Sequence, residues 1–241
     1  MINIKVIGSG SSGNCYLANI NGTQLLLECG LPFKTIQKAL GYKTSDILAC
    51  LITHEHIDHS KATKDVIKNG IDVLMTKGTA DALEIFGHRL QILEKKFERE
   101  TAYRFYWKNN ILIQPFEAIH DAKEPVNFYI KDIRTKESLL FVTDTAYMPY
   151  KIPDVDVLMV ECNYVKSVID SNVKNDSLNL NLRNRIVKNH MSLETLLEAL
   201  KQANLSNLKK IYVLHLSDTN SQEKVILEAI QRQIGTIVKI C

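Results

Sequence analysis

The sequence predicts an α/β protein, with α+β character, in which two mixed β-sheets carry helices on their outer faces. Two observations lead to this fold class: strand-like apolar runs occur early and late in the chain, and helical segments are interspersed between them. A third observation concerns domain organisation, because no low-complexity linker and no repeat of fixed period divides the 241 residues. We therefore predict a single domain over residues 1–241.

The first half of the chain alternates strands and helices around a glycine-serine turn at residues 8–14. Asn21-Gly22 is a strong hairpin signal between two apolar runs, and Pro32 opens the first helix. The predicted strands are residues 1–7, 16–20, 23–28, 47–53 and 71–75. The predicted helices are residues 33–40, 61–68 and 78–86.

The second half repeats this order. A helix packed on a core is indicated by an i, i+3, i+4, i+7 stripe of Leu193, Leu196, Leu197 and Leu200. Residues 170–184 are rich in Asn, Ser and Asp, and we predict a loop there. The predicted strands are residues 102–107, 111–118, 126–130, 139–143, 155–161 and 211–215, and the predicted helices are 192–202 and 221–233.

The composition is that of an ordinary globular protein, with 45% hydrophobic and 24% charged residues. A net charge of +3 is too small to indicate a nucleic-acid partner by itself. The five cysteines are scattered and never form a CxxC pair, which favours a reducing cytoplasm over a disulfide framework. The N-terminus does not resemble a signal peptide, and no apolar run suits a bilayer span. We expect a cytoplasmic protein with no membrane partner.

The segment LITHEHIDHS, residues 51–60, holds three of the seven histidines. If the chain is extended there, His54 and His56 point the same way and can reach one ion. Asp58 and His59 are adjacent and face apart, so they could serve a second ion on the other side. Imidazoles with a carboxylate suit zinc, manganese or iron better than magnesium or calcium. The alternative is a chance cluster on a solvated loop.

Three further polar residues end apolar, strand-like runs. His120 ends ILIQPFEAIH, Asp144 ends LLFVTD, and His215 ends KIYVLH. A rigid sheet can aim such strand-end side chains at one point. One such placement means little, but three of them together with the histidine segment form a pattern that predicts a metal site.

These motifs resemble the metallo-β-lactamase superfamily, whose HxHxDH signature matches HEHIDH at residues 54–59. Further matching pieces lie in the same order from Val6 to Asn220: GSGSSGNCYL, LLLECGL, HDAKEPVNFYI, FVTDTAY, VECN, RIVKNHMS and VLHLSDTNS. The finer resemblance is to the YycJ/WalJ-like group, whose members look like DNA-active relatives of RNase Z and RNase J. The resemblance implies the αββα sandwich of the superfamily.

The resemblance also implies two divalent metal ions per chain, Zn²⁺ or Mn²⁺. Asp144 would bridge the two ions together with a water or hydroxide, and Asp58 would also be catalytic by orienting that nucleophile. Two ions about 3.5–4 Å apart lower the pKa of a bridging water and bind a phosphoryl oxygen. The implied ligands are His54, His56 and His120 for one ion, and Asp58, His59 and His215 for the other.

The chain departs from the family pattern at three positions. Glu28 stands where the superfamily usually has Asp, in support of the histidine segment, and its extra methylene is expected to shift that support. Tyr164 stands where the YycJ-like pattern often has His, and Asn189 where it often has Gly. These departures concern the substrate rather than the metal ligands.

His190, in NHMS, matches the histidine that assists phosphodiester cleavage in RNase Z-like and YycJ-like enzymes. We expect it to contact substrate and to donate a proton to the leaving oxygen or stabilise charge on the phosphorane. The alternative is a helix-start histidine, with Ser192 as the N-cap. Asn14, in the glycine-serine turn, is a candidate substrate contact.

Two other features are interpreted as structural. His88 matches no motif and is expected on the surface or half-buried. Trp107 and Tyr106 could stack a base, but core packing is the preferred interpretation.

The sequence therefore predicts a metal-dependent hydrolase that cleaves phosphodiester bonds. The resemblance implies a DNA exonuclease, acting from a 5′ end. One alternative is hydrolysis of a small ester, thioester, lactam or cyclic nucleotide on the same metals, and His190 favours the phosphodiester. A second alternative is a non-enzymatic metal-binding regulator, which the complete ligand set disfavours.

Overall fold

A computed structural model describes residues 1–96 and 103–241, and the chain divides into two compact units. The first unit comprises residues 1–117 and 122–138, and the second comprises residues 118–121 and 139–241. The described strands form two mixed sheets, one with six strands and one with seven. The predicted fold class, two mixed sheets with helices, is confirmed.

The six-stranded sheet lies in the first unit and begins with the predicted hairpin. Asn21 (φ 51°) and Gly22 (φ 92°) both adopt the left-handed backbone that a two-residue hairpin turn of type I′ requires. The strands are β1 (Ile2–Gly8), β2 (Cys15–Ile20), β3 (Thr23–Leu27), β4 (Ile47–Leu51), β5 (Val73–Thr76) and β6 (Leu90–Leu93). They pair in sequence order, antiparallel from β1 to β3 and parallel from β3 to β6.

Short helices connect these strands. They are α1 (Phe33–Ala39), α2 (Ile57–Ser60), α3 (Thr63–Lys68) and α4 (Lys77–Leu83), with a 3₁₀ turn at Thr44–Asp46. Their buried side chains join those of the sheet in one cluster, to which Ile36, Ile52, Val66 and Met75 belong. Helix α2 lies inside the histidine segment, where the sequence predicted a loop as far as residue 60.

An antiparallel ribbon of three strands completes the first unit: β7 (Tyr106–Lys108), β8 (Ile111–Glu117) and β9 (Val126–Asp132). One face of the ribbon is buried, as shown by Ile113 and Ile130, and Tyr106 is half-buried. The Trp107 side chain is 54% exposed on the other face, so the prediction that it packs in the core is wrong. The first residue of the predicted strand 102–107 lies outside the described residues.

The second unit has four parallel strands, and the first three of them are apolar runs that are buried on both faces, as is typical of parallel sheets. These are β10 (Ser138–Val142), β11 (Val157–Glu161), β12 (Lys210–Leu214) and β13 (Ile237–Ile240), and they pair in that order. Its helices are α5 (Lys166–Lys174), α6 (Leu180–Asn189), α7 (Leu193–Lys201) and α8 (Glu223–Ile234).

The loop predicted at residues 170–184 is wrong, because α5 and α6 cover most of that range. The side chain of Ile169 anchors α5 by being buried, and the side chain of Asn179 caps the start of α6. Arg183 Nη2, on α6, contacts Asp170 Oδ1, on α5, at 2.8 Å. These interactions outweigh the weak helix propensity of Asn, Ser and Asp. Strands β6 and β13 were also not predicted. Both are four residues long and lie at the ends of their sheets.

All five cysteines are free thiols. Cys15, Cys29, Cys50 and Cys162 are buried, whereas Cys241 is partly exposed. Burial raises the pKa of the thiols of Cys15, Cys50 and Cys162, and it raises the pKa of Cys241 to about 11. Among the described residues, we find no helix with the length and apolar character that crossing a membrane requires.

Candidate metal centre

In the first unit, the histidine segment follows the carboxyl end of β4. His56 is the N-cap residue of α2, and Asp58 and His59 lie in its first turn. The His54 ring centroid lies 4.6 Å from that of His56 and 4.2 Å from that of His59. The three imidazoles therefore converge, although the chain is not extended throughout. Asp58 and His59 do not face apart, because the helical turn brings Asp58 Oδ2 within 3.4 Å of His59 Nε2.

The backbone of the histidine segment is held by the loops after β1 and β3. Asn14 N donates to Asp58 O at 2.7 Å, and Cys29 N donates to His59 O at 2.8 Å. Gly30 lies so close that a Cβ atom there would stand 1.7 Å from the Asp58 carbonyl oxygen. Only glycine fits at this position, and the close approach fixes where Asp58 and His59 stand.

Two fully buried side chains fix the His59 ring. Glu28 Oε1 lies 3.5 Å from its Nδ1, and Asn14 Nδ2 lies 3.1 Å from its Nε2. A carboxylate beside Nδ1 and an amide NH₂ beside Nε2 favour the tautomer with the proton on Nδ1. The lone pair is then on Nε2, the ring nitrogen that also lies 3.4 Å from Asp58 Oδ2.

Glu28 takes part in a buried hydrogen-bond network. Its carboxylate accepts from Thr53 N at 3.3 Å, and Thr53 Oγ1 lies 2.9 Å from His54 Nδ1. Burial raises the pKa of the Glu28 carboxyl, while His59 and Thr53 oppose this shift. The longer side chain at this departure from the family pattern therefore still reaches the histidine segment. Asn14 is fully buried in the same network, and its predicted substrate contact stays a prediction.

In the second unit, polar residues follow successive parallel strands. Asp144 lies two residues beyond β10, Glu161 is the last residue of β11, and His215 directly follows β12. Carboxyl ends of parallel strands meet at one edge of a sheet, so these side chains are close together. Asp144 (φ 30°) and His215 (φ 52°) have left-handed backbones, which non-glycine residues adopt at a cost.

Asp144 directs its two oxygens toward different histidines. Oδ2 lies 3.6 Å from His120 Nε2, and Oδ1 lies 3.8 Å from His215 Nε2. Asp144 itself is only 4% exposed. A carboxylate in this position can serve two cations at once, one through each oxygen.

His190 is the C-cap residue of α6, and it stands beside Asp144. Its Nδ1 lies 3.1 Å from Glu161 Oε2, and Glu161 is fully buried and also accepts from Thr145 N. The His190 ring stacks on His215 with centroids 5.4 Å apart. Ser192, not His190, caps α7 by accepting from Thr195 N at 3.1 Å. The helix-start interpretation therefore explains Ser192 alone.

Glu161 is the site residue whose role the sequence did not reveal. It lies in the matched piece VECN, but we assigned it no function. The available signal was its place at the end of a strand between those that lead to Asp144 and His215. Donor atoms of Asp144, Glu161, His190 and His215 lie within 4.8 Å of one another, so this group could also hold an ion.

Buried groups orient the other two histidines of this unit. His120 Nδ1 donates to the Asn189 carbonyl oxygen at 3.0 Å, which leaves the lone pair on Nε2, the atom that faces Asp144. Asn163 Nδ2 contacts Nδ1 of His215 at 3.1 Å and donates to its carbonyl oxygen at 2.9 Å. Burial lowers the pKa of His120, which favours the neutral imidazole that binds metals.

The two other departures from the family pattern have structural roles. The backbone carbonyl of Asn189 accepts the hydrogen bond from His120 Nδ1, so this contact does not depend on the Asn189 side chain. Tyr164 is buried and pairs with Ser192, and its carbonyl accepts from Leu193 N at 2.8 Å at the start of α7. His88 matches no functional cluster of the described residues and is exposed, as expected.

The donor chemistry of both clusters fits divalent transition metals. Imidazole nitrogens predominate, carboxylates complete the sets, and hydrogen bonds to the opposite ring nitrogen orient the imidazoles. The fold with these His/Asp clusters therefore indicates divalent metal binding.

Comparison with known proteins defines the class. Residues 23–216 match the β-lactamase superfamily domain, and the chain belongs to this superfamily. The metallo-β-lactamase fold protein YhfI from Bacillus subtilis has the same fold, with a TM-score of 0.73 at 15% identity. That comparison covers 100% of this chain and 96% of YhfI.

Two similar sequences indicate which group within the superfamily this chain resembles. Exodeoxyribonuclease WalJ of Streptococcus pneumoniae serotype 2 is 30% identical over 230 residues, which cover 90% of this chain and 82% of that protein. Exodeoxyribonuclease YycJ of Bacillus anthracis is 24% identical over 233 residues, which cover 92% of this chain and 85% of that protein. The predicted resemblance to the YycJ/WalJ-like group is confirmed.

Proposed function

We propose that this chain is a metal-dependent exonuclease that hydrolyses DNA phosphodiester bonds from a 5′ end. The observation that carries the proposal is the placement of His190 between a buried Glu161 and the Asp144 carboxylate. This arrangement puts a carboxylate-supported imidazole beside a metal-ligand cluster. The names of the two nuclease relatives support DNA as the substrate.

The proposed metal content is two divalent ions per chain, Zn²⁺ or Mn²⁺. When bound, such ions activate a water molecule and neutralise charge on a phosphoryl oxygen. Asp144 would contact both ions, since its two oxygens face different histidines. Asp58 would also orient the attacking water. The other proposed ligands are His54, His56 and His120 for one ion, and Asp58, His59 and His215 for the second.

His190 would act on the leaving oxygen. Glu161 accepts the hydrogen bond from Nδ1, so its buried carboxylate stabilises positive charge on the ring. Nε2 can then hold a proton for the departing alkoxide or stabilise the charge of the phosphorane. Hydrolysis of a carbonyl substrate has less need of a cation at that position, which favours the phosphodiester over an ester, thioester or lactam. A cyclic nucleotide remains an alternative of the same chemistry.

Metal analysis joined to a substrate panel tests the proposal. We expect about two transition-metal ions per chain and turnover of 5′-phosphorylated single or double strands, with weaker turnover of bis-nitrophenyl phosphate. The panel also holds RNA, cyclic dinucleotides and a chromogenic lactam. A metal content near zero after metal-replete purification would contradict the central claim. Turnover of the lactam alone would contradict the proposed phosphodiesterase activity and favour the alternative, hydrolysis of a carbonyl substrate.

Two further proposals concern the whole chain. We propose that residues 1–241 act as one domain, and the single family match over residues 23–216, which includes parts of both compact units, supports this. A cytoplasmic location is supported by the five free cysteines. Activity that persists in either unit expressed alone would contradict the first of these proposals.

A further inference from the structure

The solvent-facing side of the β7–β9 ribbon carries exposed aromatic side chains. Phe105, just before β7, is 51% exposed, and Trp107 is 54% exposed. Trp107 lies opposite Leu112, so its ring stands on the side of the ribbon opposite the buried Ile113 and Ile130. Phe105, two residues before Trp107, is exposed as well. Large aromatic side chains normally contribute to a core or an interface, and these two contribute little to the core.

The strand register extends this aromatic face across the ribbon. Trp107 lies opposite Leu112, and Leu112 lies opposite Lys131 on β9. Tyr129 lies opposite Gln114, and both are half-buried on the same side. Phe116 follows two residues farther along β8 and is also half-buried. We call the rings of Phe105, Trp107, Phe116 and Tyr129 the aromatic face.

Positive charge accompanies the aromatic face. Lys96 Nζ lies 5.6 Å from the centroid of the Phe105 ring, and Lys131 lies in the same row as Trp107. Arg104 is also exposed, although Glu94 partly neutralises it through a contact of 3.4 Å. Exposed rings interleaved with cations match a nucleic-acid strand, which offers base faces for stacking and phosphates for the cations.

The ribbon also connects this face to the histidine segment within the first unit. Val126 N, at the start of β9, donates to Thr53 O at 3.0 Å. Tyr129 follows three residues later, about 10 Å along the strand, and Lys131 lies about 17 Å along it. A nucleic-acid strand that starts at the histidine segment, next to Thr53, would therefore reach Tyr129 and Lys131 within a few nucleotides.

We infer that the aromatic face binds the single-stranded part of a nucleic-acid substrate, with Trp107 and Phe105 stacking on bases and Lys131 and Lys96 contacting phosphates. This inference rests on the proposed function and adds where the substrate is held. A single strand is favoured because its base faces are accessible, whereas those of a duplex are stacked inside. A protein partner is less well matched, because Lys96 lies over the Phe105 ring and Lys131 ends the row that begins at Trp107.

Tryptophan fluorescence tests the inference directly, because Trp107 is the only tryptophan of the chain. The probe is a twenty-nucleotide oligothymidylate, titrated into the full chain with a chelator present to prevent cleavage. We expect the emission to be quenched as the oligonucleotide binds, and the ring to become protected from acrylamide. Unchanged emission at saturating oligonucleotide would overturn the inference.

Matched variants test the same surface by fluorescence anisotropy of a labelled oligothymidylate. Phe105→Ala and Trp107→Ala should each raise the Kd by about 5- to 100-fold. Phe86→Ala is the control, since Phe86 is 76% exposed elsewhere in the first unit and should leave the Kd unchanged. Lys131→Ala should lower the slope of log Kd against log salt by about 0.7, as expected for one lost phosphate contact to a single strand.

The failure of the inference differs from the failure of the proposed function. Suppose that both aromatic variants bind and digest the oligonucleotide like the parent chain, while His190→Ala does not digest it. The inference that the aromatic face binds nucleic acid is then wrong, and the proposed nuclease activity is supported. If the parent chain binds the oligonucleotide through Trp107 but hydrolyses neither DNA nor bis-nitrophenyl phosphate, the binding role of the aromatic face is supported and the proposed nuclease activity is wrong. Concentration-dependent association that Trp107→Ala abolishes, without oligonucleotide binding, would assign the face to a second copy and overturn the inference.

Discussion

The two units carry their candidate ligands in opposite ways. In the first unit, His54, His56, Asp58 and His59 belong to one short segment that the backbone of neighbouring loops holds in place. In the second unit, Asp144, His215 and His120 come from distant parts of the chain and are oriented by side chains and by one carbonyl group. In the first arrangement, backbone packing positions one segment, and Glu28 and Asn14 orient the His59 ring. In the second, hydrogen bonds orient ligands that come from separate strand ends.

The difference shows where each half is vulnerable. A change that pushes the loops apart should damage the first cluster through stability. A change that removes one side chain of the second cluster should damage chemistry and leave the fold intact. The four substitutions below test this contrast, beginning with the largest expected effect.

Asp144→Ala should have the largest effect, because one carboxylate of the second unit faces two histidines. We expect turnover to fall about 10⁴-fold or more, since several kcal/mol of charge stabilisation are lost. Metal content should fall as well, and mass spectrometry of the purified protein measures it. Asp65→Ala, at an exposed position of α3, is the control and should change neither quantity. Full activity with unchanged metal content would show that Asp144 is not a metal ligand and only ends a strand-like run.

His190→Ala should fold, keep its metals and bind substrate nearly as well as the parent chain. We expect kcat on DNA to fall about 10²–10⁴-fold, or about 3–5 kcal/mol. The loss should be smaller on bis-nitrophenyl phosphate, whose leaving group needs little protonation. Kinetics on both substrates, with melting temperature and metal content, check this.

Ser192→Ala is the matched control for His190, two residues away. Because Ser192 caps α7, its removal should lower stability by about 1 kcal/mol and leave kcat unchanged. Equal rate losses of His190→Ala on the two substrates would exclude leaving-group protonation. Lost metal content in His190→Ala would make His190 a ligand.

Gly30→Ala should expose the dependence of the first unit on backbone packing. The added Cβ would stand 1.7 Å from the Asp58 carbonyl oxygen, so the loop and α2 must separate. We expect a loss of about 3 kcal/mol or more, at the upper end of overpacking costs, in a thermal or denaturant melt. Gly41→Ala is the control, because nothing lies within 4 Å of its Cβ position and only its positive φ is penalised, by about 1 kcal/mol. Equal losses in the two variants would contradict the packing argument.

Glu28→Gln should have the smallest effect, because it keeps the shape of the side chain and removes only its charge. The His59 ring then loses its carboxylate partner, and metal affinity should fall about 10- to 100-fold. Competition with a chelator of known affinity measures this. A variant whose metal affinity equals that of the parent chain would show that Glu28 supports the fold rather than the site.

The sequence predicted the fold class, the hairpin at Asn21-Gly22 and most strands, because apolar runs between clear turn residues specify these elements locally. It predicted the first cluster through one dense motif. It did not predict the helical turn at Asp58 and His59, since two ligands in adjacent positions can belong to a strand or a helix. Helices α5 and α6 were missed because burial of Ile169 and the ion pair of Arg183 with Asp170 arise only on folding.

The position of Trp107 shows a second limit of local patterns. Alternation in YWK does not reveal which face of a strand is covered, because that depends on the rest of the fold. Similarly, Glu161 is one of many acidic residues in the sequence, and its place at a strand end gains a meaning only through its contact with His190.

The cysteine distribution has a practical consequence for spectroscopy. Cys241 is the one thiol among the five that is partly exposed, and the other four are buried. A thiol-reactive dye at alkaline pH, where more of the Cys241 thiol is deprotonated, should therefore label this position selectively. The labelled protein would contain one fluorescent donor at Trp107, in the first unit, and one acceptor at Cys241, in the second. The efficiency of resonance energy transfer would then give the distance between the two labels, with and without added metal.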